Sequence, residues 1–268
     1  MDDLPRRIGI THTPSVAVGS KVYMCGGYVG RTPGPETPNC YIYDHSKPPG
    51  SKQWTRFQRL PGNGTGGAGL IYDKITNALY YVGGASRPKP GVLFSIDTNK
   101  VWKYSLSDTE LGWVESVPIP YLGNHVSYVT AKDGNGTSRH YLLGGQEGEN
   151  EPLGNLADVF EFIPSKERWI RRASMPYGRS HITASTKAIG CGFFVAGGAV
   201  NDPDLTEIKR TTTNDISYYH IPTNKWTSIG NLSWSIVTPL VEYKDGYMHF
   251  VNTRNRRGYR RRIAVLHR

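Results

Sequence analysis

Residues 139–145 read RHYLLGG, and the same apolar run closed by two glycines returns as KVYMCGG (21–27), ALYYVGG (78–84) and GFFVAGG (192–198). The first glycines of the pairs, Gly26, Gly83, Gly144 and Gly197, stand 57, 61 and 53 residues apart. After each pair come an aromatic and then a tryptophan: Tyr43 and Trp54, Tyr104 and Trp113, Phe162 and Trp169, Tyr219 and Trp226. The tryptophans recur at intervals of 59, 56 and 57 residues. Two independent markers therefore share one period, the signature of a repeat architecture. A proline segment opens each unit: LPRRIGITH (4–12), LPGNGTGGA (60–68), IPYLGNHVS (119–127) and MPYGRSHIT (175–183).

Within a unit, four runs have strand length and composition: one after the proline segment (PSVAVG, GLIYD, HVSYVTA, HITAST), the Gly-Gly run, the Tyr run and the Trp run. The reading is all-β, with one four-stranded antiparallel sheet per repeat and approximate boundaries 5–60, 61–117, 118–175, 176–229 and 230–268 within a single domain, 1–268. Such a sheet cannot bury both of its faces alone, so neighbouring sheets must stack. With 31 Gly and 18 Pro in 268 residues, long helices are disfavoured, while 17 Tyr, 7 Phe and 6 Trp supply bulk for a core.

In these features the chain resembles the kelch repeat family: paired glycines after an apolar strand, then Tyr and Trp with six residues between. Phe162 to Trp169 (with Phe for Tyr) and Tyr219 to Trp226 keep that spacing, whereas Tyr104 to Trp113 and Tyr43 to Trp54 stretch it; MPYGRSH also matches the family's opening segment. The resemblance implies a kelch-type β-propeller of about five blades. The last blade is incomplete, because Asn252 and Thr253 stand where the glycine pair belongs and no fourth strand follows RIAVLHR. The chain is then either a divergent five-bladed ring or part of a longer, six-bladed one. An uncovered sheet edge is expected, to be met by another copy or a larger assembly.

The 32 Lys and Arg against 22 Asp and Glu give a net charge of +10, which favours acidic partners without specifying nucleic acid. No apolar run reaches the roughly 18 residues of a membrane helix. As the chain stands, with no signal peptide, it reads as intracellular; a truncated N-terminus would make it secreted. Three cysteines make neither a disulfide framework nor a zinc pair, and leave Cys25 to Cys40 as the one bridge to consider. GxSxG, HExxH, P-loop and Rossmann patterns are absent. The resemblance also raises a copper radical oxidase, which needs a Cys joined to a Tyr, a second Tyr and two His on one metal. Cys25, Cys40 and Cys191 stand in no such motif. The expectation is no catalytic residue, no metal and no cofactor.

The expected role is a non-catalytic interaction or structural scaffold that binds a protein partner. The alternative is a secreted glycan-binding or extracellular structural propeller. The second-to-third strand loops are long, and in an up-and-down sheet they share one rim with the joining loops, so that rim is the expected binding face. The joining loops place Arg7, His12, Asn63, Asn124, His125, Arg179 and His181 near the innermost strands, where they hydrogen-bond backbone or meet a ligand. Tyr28, Phe94, Tyr121 and Tyr177 are expected as exposed rim aromatics. Arg254, Arg256, Arg257, Arg260, Arg261 and Arg262, with Tyr259 among them, form a candidate site for an anionic ligand. Glu147, Glu149 and Glu151 give the rim an opposite pole, which fits a protein partner at least as well as nucleic acid. Asn63, Asn135 and Asn231 head N-glycosylation sequons, all in expected loops, at a frequency that chance alone provides.

Overall fold

The computed structural model of the chain describes residues 3–4, 9–30, 34–87, 96–147, 154–201, 210–245, 247–252 and 262–266. Its contacts gather into two compact units: Met1–His125 with Gly148–Glu151 and Ile163–Trp169, and Val126–Glu147 with Pro152–Phe162 and Ile170–Arg268. Among the described residues no helix is long and apolar enough to cross a membrane.

Four antiparallel four-stranded sheets follow the four repeats. Blade 1 runs Ser15–Val18, Lys21–Cys25, Cys40–Asp44, Trp54–Phe57; blade 2 runs Gly69–Asp73, Ala78–Val82, Val101–Ser105, Trp113–Ser116. Blade 3 runs Ser127–Lys132, Ser138–Leu143, Val159–Ile163, Arg168–Arg171; blade 4 runs Thr186–Ile189, Gly192–Ala196, Asp215–His220, Lys225–Asn231. The fifth sheet has three described strands, Leu240–Lys244, Tyr247–Asn252 and Arg262–Leu266. The fold is all-β, with one antiparallel sheet for each repeat.

The glycine pairs end the second strands for a steric reason. In every pair the first glycine has φ between 61° and 69° and the second between 95° and 109°, backbone that side chains resist. This turn aims the second glycine's N–H at the next repeat's joining loop. Within the first unit, Gly27 donates to the Thr65 carbonyl (2.8 Å) and Gly84 to that of Gly123 (3.3 Å). Within the second, Gly145 donates to Arg179 and Gly198 to Ile236, both at 2.8 Å.

The tryptophans repeat a second bond. Trp113 Nε1 donates to the Gln58 carbonyl (3.0 Å), Trp169 to Val117 (3.3 Å) and Trp226 to Ala173 (2.9 Å), each acceptor lying shortly after the preceding repeat's tryptophan. Only Trp113 is buried; Trp54, Trp169 and Trp226 are half-buried, because the outermost strand leaves one edge of the indole to solvent. Replacing Trp226 by Phe removes the donor and orphans the Ala173 carbonyl. We expect a loss of roughly 1–2 kcal/mol. Urea denaturation measures it, and a change under about 0.3 kcal/mol would show the bond contributes nothing.

The cores are aromatic. In the first unit Tyr23, Leu70, Leu79, Tyr81, Tyr104 and Trp113 pack together; in the second Tyr141, Leu143, Phe193, Val195 and Tyr219 do the same. Burial pushes the Tyr219 phenol up to about 12, so it stays protonated and donates to Asn224 Oδ1 (2.6 Å).

One expected strand differs. HITAST begins as a 3-10 turn, Thr183–Ser185, and the strand starts only at Thr186. Hydroxyls compete with the ladder here: Ser185 and Thr186 donate to the Ile182 carbonyl (3.1 and 2.8 Å), and Thr183 donates to that of Val126 (3.1 Å).

Candidate functional site

The joining loops place His12, Gly67, His125 and His181 at one repeated position, where all four adopt left-handed φ of 51° to 67°. Because the second repeat has glycine there, the His12 and His125 rings meet edge to face across it, 4.9 Å between centroids, and His12 also packs on Tyr28 at 5.4 Å. The Gly67 N–H donates to the His12 carbonyl (3.0 Å). His125 Nδ1 contacts Asn124 Oδ1, and buried Asn124 donates to Asp97 Oδ1 (2.5 Å). His181 Nδ1 pairs with Ser180 Oγ (2.9 Å). Among the described residues no three His, Cys, Asp or Glu side chains converge as metal ligands.

Arg179 is fully buried. Its guanidinium donates to the Gly197 and Asp215 carbonyls (3.2 Å each), to Tyr177 Oη and Ser217 Oγ (2.8 Å each) and to the Asp215 carboxylate, all within the fourth repeat. Burial alone would raise the Asp215 carboxyl, but hydrogen bonds from Ser217, Ser228 and Arg179 outweigh it and hold the pKa below the ordinary value. So enclosed, the arginine spends its donors on backbone and side chains of its own repeat rather than on a ligand.

Two expectations are corrected. Tyr28 is 1% exposed, because the residue after the glycine pair bridges to Thr11 and Glu36, and Gly66 carries no side chain where a Cβ would strike the Tyr28 ring. Asn231 is the last residue of a blade 4 strand, paired with Asp215, rather than a loop residue. Asn63 is exposed in a joining loop and Asn135 at the tip between the first two strands of blade 3. Tyr121 is half-buried, and Tyr177 is 37% exposed with its ring 4.4 Å under the Arg179 guanidinium. Glu147 is half-buried in a short ribbon opposite Gly154. Arg7, Phe94, Glu149, Glu151 and Arg254, Arg256, Arg257, Tyr259, Arg260 and Arg261 lie outside the described residues.

Two clefts open in the first unit on either side of the joining loop around residues 58–65. One, about 440 Å³, is lined by that loop from Leu60 to Thr65 and by Thr98, Lys100 and Trp102 of blade 2, with Lys100 Nζ 5.4 Å from the Trp102 ring centroid. The other, about 370 Å³, lies between residues 35–40 and the end of blade 1, where Arg56, Phe57 and Arg59 form the wall. No motif marked Arg56, Arg59, Lys100 or Trp102; the one signal is basic and aromatic residues bordering the joining segment. Beside the second cleft, Cys25 and Cys40 face each other on adjacent strands, are both 1% exposed, and form a disulfide. Cys191 is the remaining cysteine and is half-buried.

No family model matches the chain. It is 24% identical over 268 residues to Kelch repeat-containing protein At3g27220 of Arabidopsis thaliana, covering 95% of this chain and 59% of that protein. It is 26% identical over 200 residues to Kelch-like protein terF of Aspergillus terreus, covering 72% of this chain and 40% of that protein. The chain thus spans about half the length of the curated relatives it matches. Among solved structures, that of YjhT superposes with a TM-score of 0.68 at 16% identity, over 91% of this chain and 72% of that one.

Proposed function

Since this chain is a kelch-repeat β-propeller, we propose that it acts as a non-catalytic scaffold, a single interaction domain that holds a protein partner on the joining-loop end of blades 1 and 2. The observation that carries this is the pair of clefts flanking residues 58–65: their walls are loop backbone, cations and an aromatic, the composition of a recognition surface. Cys25 and Cys40 bond each other rather than a tyrosine, which takes two of the three cysteines away from the oxidase alternative.

The test is affinity capture with quantitative mass spectrometry, comparing wild type with Lys100→Ser/Trp102→Ala and with Lys74→Ser/Lys132→Ser, whose lysines are exposed near the turns between first and second strands. Loss of the captured protein in the first variant alone is expected. Equal capture by wild type and the first variant would contradict the reading. Trp102 beside Thr98, Asn63 and Thr65 also suits stacking on a sugar ring. A glycan array that responds to Trp102→Ala while protein capture is unchanged would favour the glycan-binding alternative.

A further inference from the structure

Resting on that reading of the joining-loop end, we infer that the blade 1 cleft between residues 35–40 and Arg56–Arg59 is a carboxylate-binding site that takes an acidic peptide segment of the partner.

The charge balance comes first. Arg56 and Arg59 are exposed at the cleft, and among the described residues no carboxylate pairs with either. The acidic residue in the wall, Glu36, is already committed: its Oε1 accepts from the Arg87 N–H at 3.0 Å and lies 3.9 Å from Arg87 Nε, with only 8% of the side chain exposed. Among the described residues, two guanidinium groups therefore line one cleft without a counter-charge, and a guanidinium presents its donors in a fork that matches a carboxylate.

The wall opposite them is fixed before anything binds. Val29 donates to the Pro35 carbonyl (2.9 Å), Thr37 to Gly27 (3.0 Å), Gly26 to Asn39 (3.1 Å) and Leu60 to Pro38 (2.9 Å). The disulfide at Cys40 pins the same segment to the neighbouring strand. A ligand meeting a prearranged wall loses less ordering entropy there, and the net charge of +10 draws acidic segments toward it.

Size distinguishes the source of the carboxylate. A cleft of about 370 Å³ exceeds the needs of one small anion and falls within the range of organic-ligand pockets, roughly 300–1,000 Å³. Two arginines ask for two carboxylates held on one extended segment.

The experiment titrates a fluorescein-labelled Glu-rich peptide against the full chain by anisotropy. Arg56→Ser/Arg59→Ser is expected to weaken binding at least tenfold, Arg56→Lys/Arg59→Lys to weaken it less, and Lys74→Ser/Lys132→Ser, which removes the same charge elsewhere, to change it less than about twofold. Thermal melts of the variants check that exposed replacements leave the fold intact. Equal weakening by the arginine-to-serine and lysine-to-serine pairs would reduce the effect to net charge and overturn the site. Free citrate displacing the peptide as well as an unlabelled peptide does would assign the cleft to a small polycarboxylate and overturn the peptide assignment. The scaffold reading fails separately, when Lys100→Ser/Trp102→Ala leaves protein capture unchanged; this inference fails when that variant loses capture yet Arg56→Ser/Arg59→Ser keeps the acidic peptide.

Discussion

Replacing Arg179 with methionine is expected to destabilise the protein by roughly 3–5 kcal/mol, the cost of leaving a partly buried charge without its partner. Methionine fills most of the volume but offers no donor to the Asp215 carboxylate, to Ser217, or to the Gly197 and Asp215 carbonyls. Tyr177→Phe removes one acceptor while keeping the ring under the guanidinium, so its cost should be near 1 kcal/mol. Acid adds a second readout. The folded Asp215 pKa lies below its unfolded value of about 3.9, so the carboxylate's contribution is fully present above that value and disappears as pH falls through the folded pKa. In Arg179→Met the depression shrinks, so the acid-dependent loss should become smaller and be complete at a higher pH. Urea midpoints across a pH series measure both effects; a variant as stable as wild type at neutral pH would mean the network is not holding blade 4.

Gly84→Ala is the second large effect, expected at roughly 3 kcal/mol or more from strained backbone plus forced contact. Gly84 has φ +95°, and a Cβ there would stand 2.6 Å from Thr65 Oγ1 and 2.9 Å from the Gly66 carbonyl oxygen. Thr65 cannot retreat, since Oγ1 lies 2.9 Å from the Tyr81 phenol and 3.0 Å from the Gly83 carbonyl, and Tyr81 donates to the Thr65 carbonyl at 2.7 Å. Gly62→Ala is the control: φ is +66° and nothing lies within 4 Å of its Cβ position, so only about 1 kcal/mol of backbone cost is expected. Equal losses in the two variants would show that the close approach of the joining loop adds nothing.

These two positions also show what a sequence makes legible. Gly84 repeats because the second strand of each of blades 1 to 4 ends in the same left-handed turn, so its period exposes the blades, and the tryptophans repeat because the indoles of Trp113, Trp169 and Trp226 each bond the segment that follows the preceding blade. Arg179 was visible as a joining-loop residue, but its burial depends on Asp215 and Ser217, which share no motif with it. Tyr28 was misread for a related reason. It occupies the position filled by Ala85 and Ala199 in other repeats, and only the missing side chain at Gly66 lets a large ring go inside. Arg56 and Arg59 carried no signal at all, because lacking a counter-charge is a property of what surrounds a residue in space.

The central claim, that a protein partner sits on the joining-loop end of blades 1 and 2, is tested most directly by footprinting. Arginine, lysine and tryptophan side chains of the chain are chemically modified with and without the captured partner, and the protected positions are read by mass spectrometry. The account predicts protection of Arg56, Arg59, Lys100 and Trp102, with Lys74 and Lys132 modified equally in both states. Protection of Lys74 and Lys132 with the four cleft residues unchanged would contradict it.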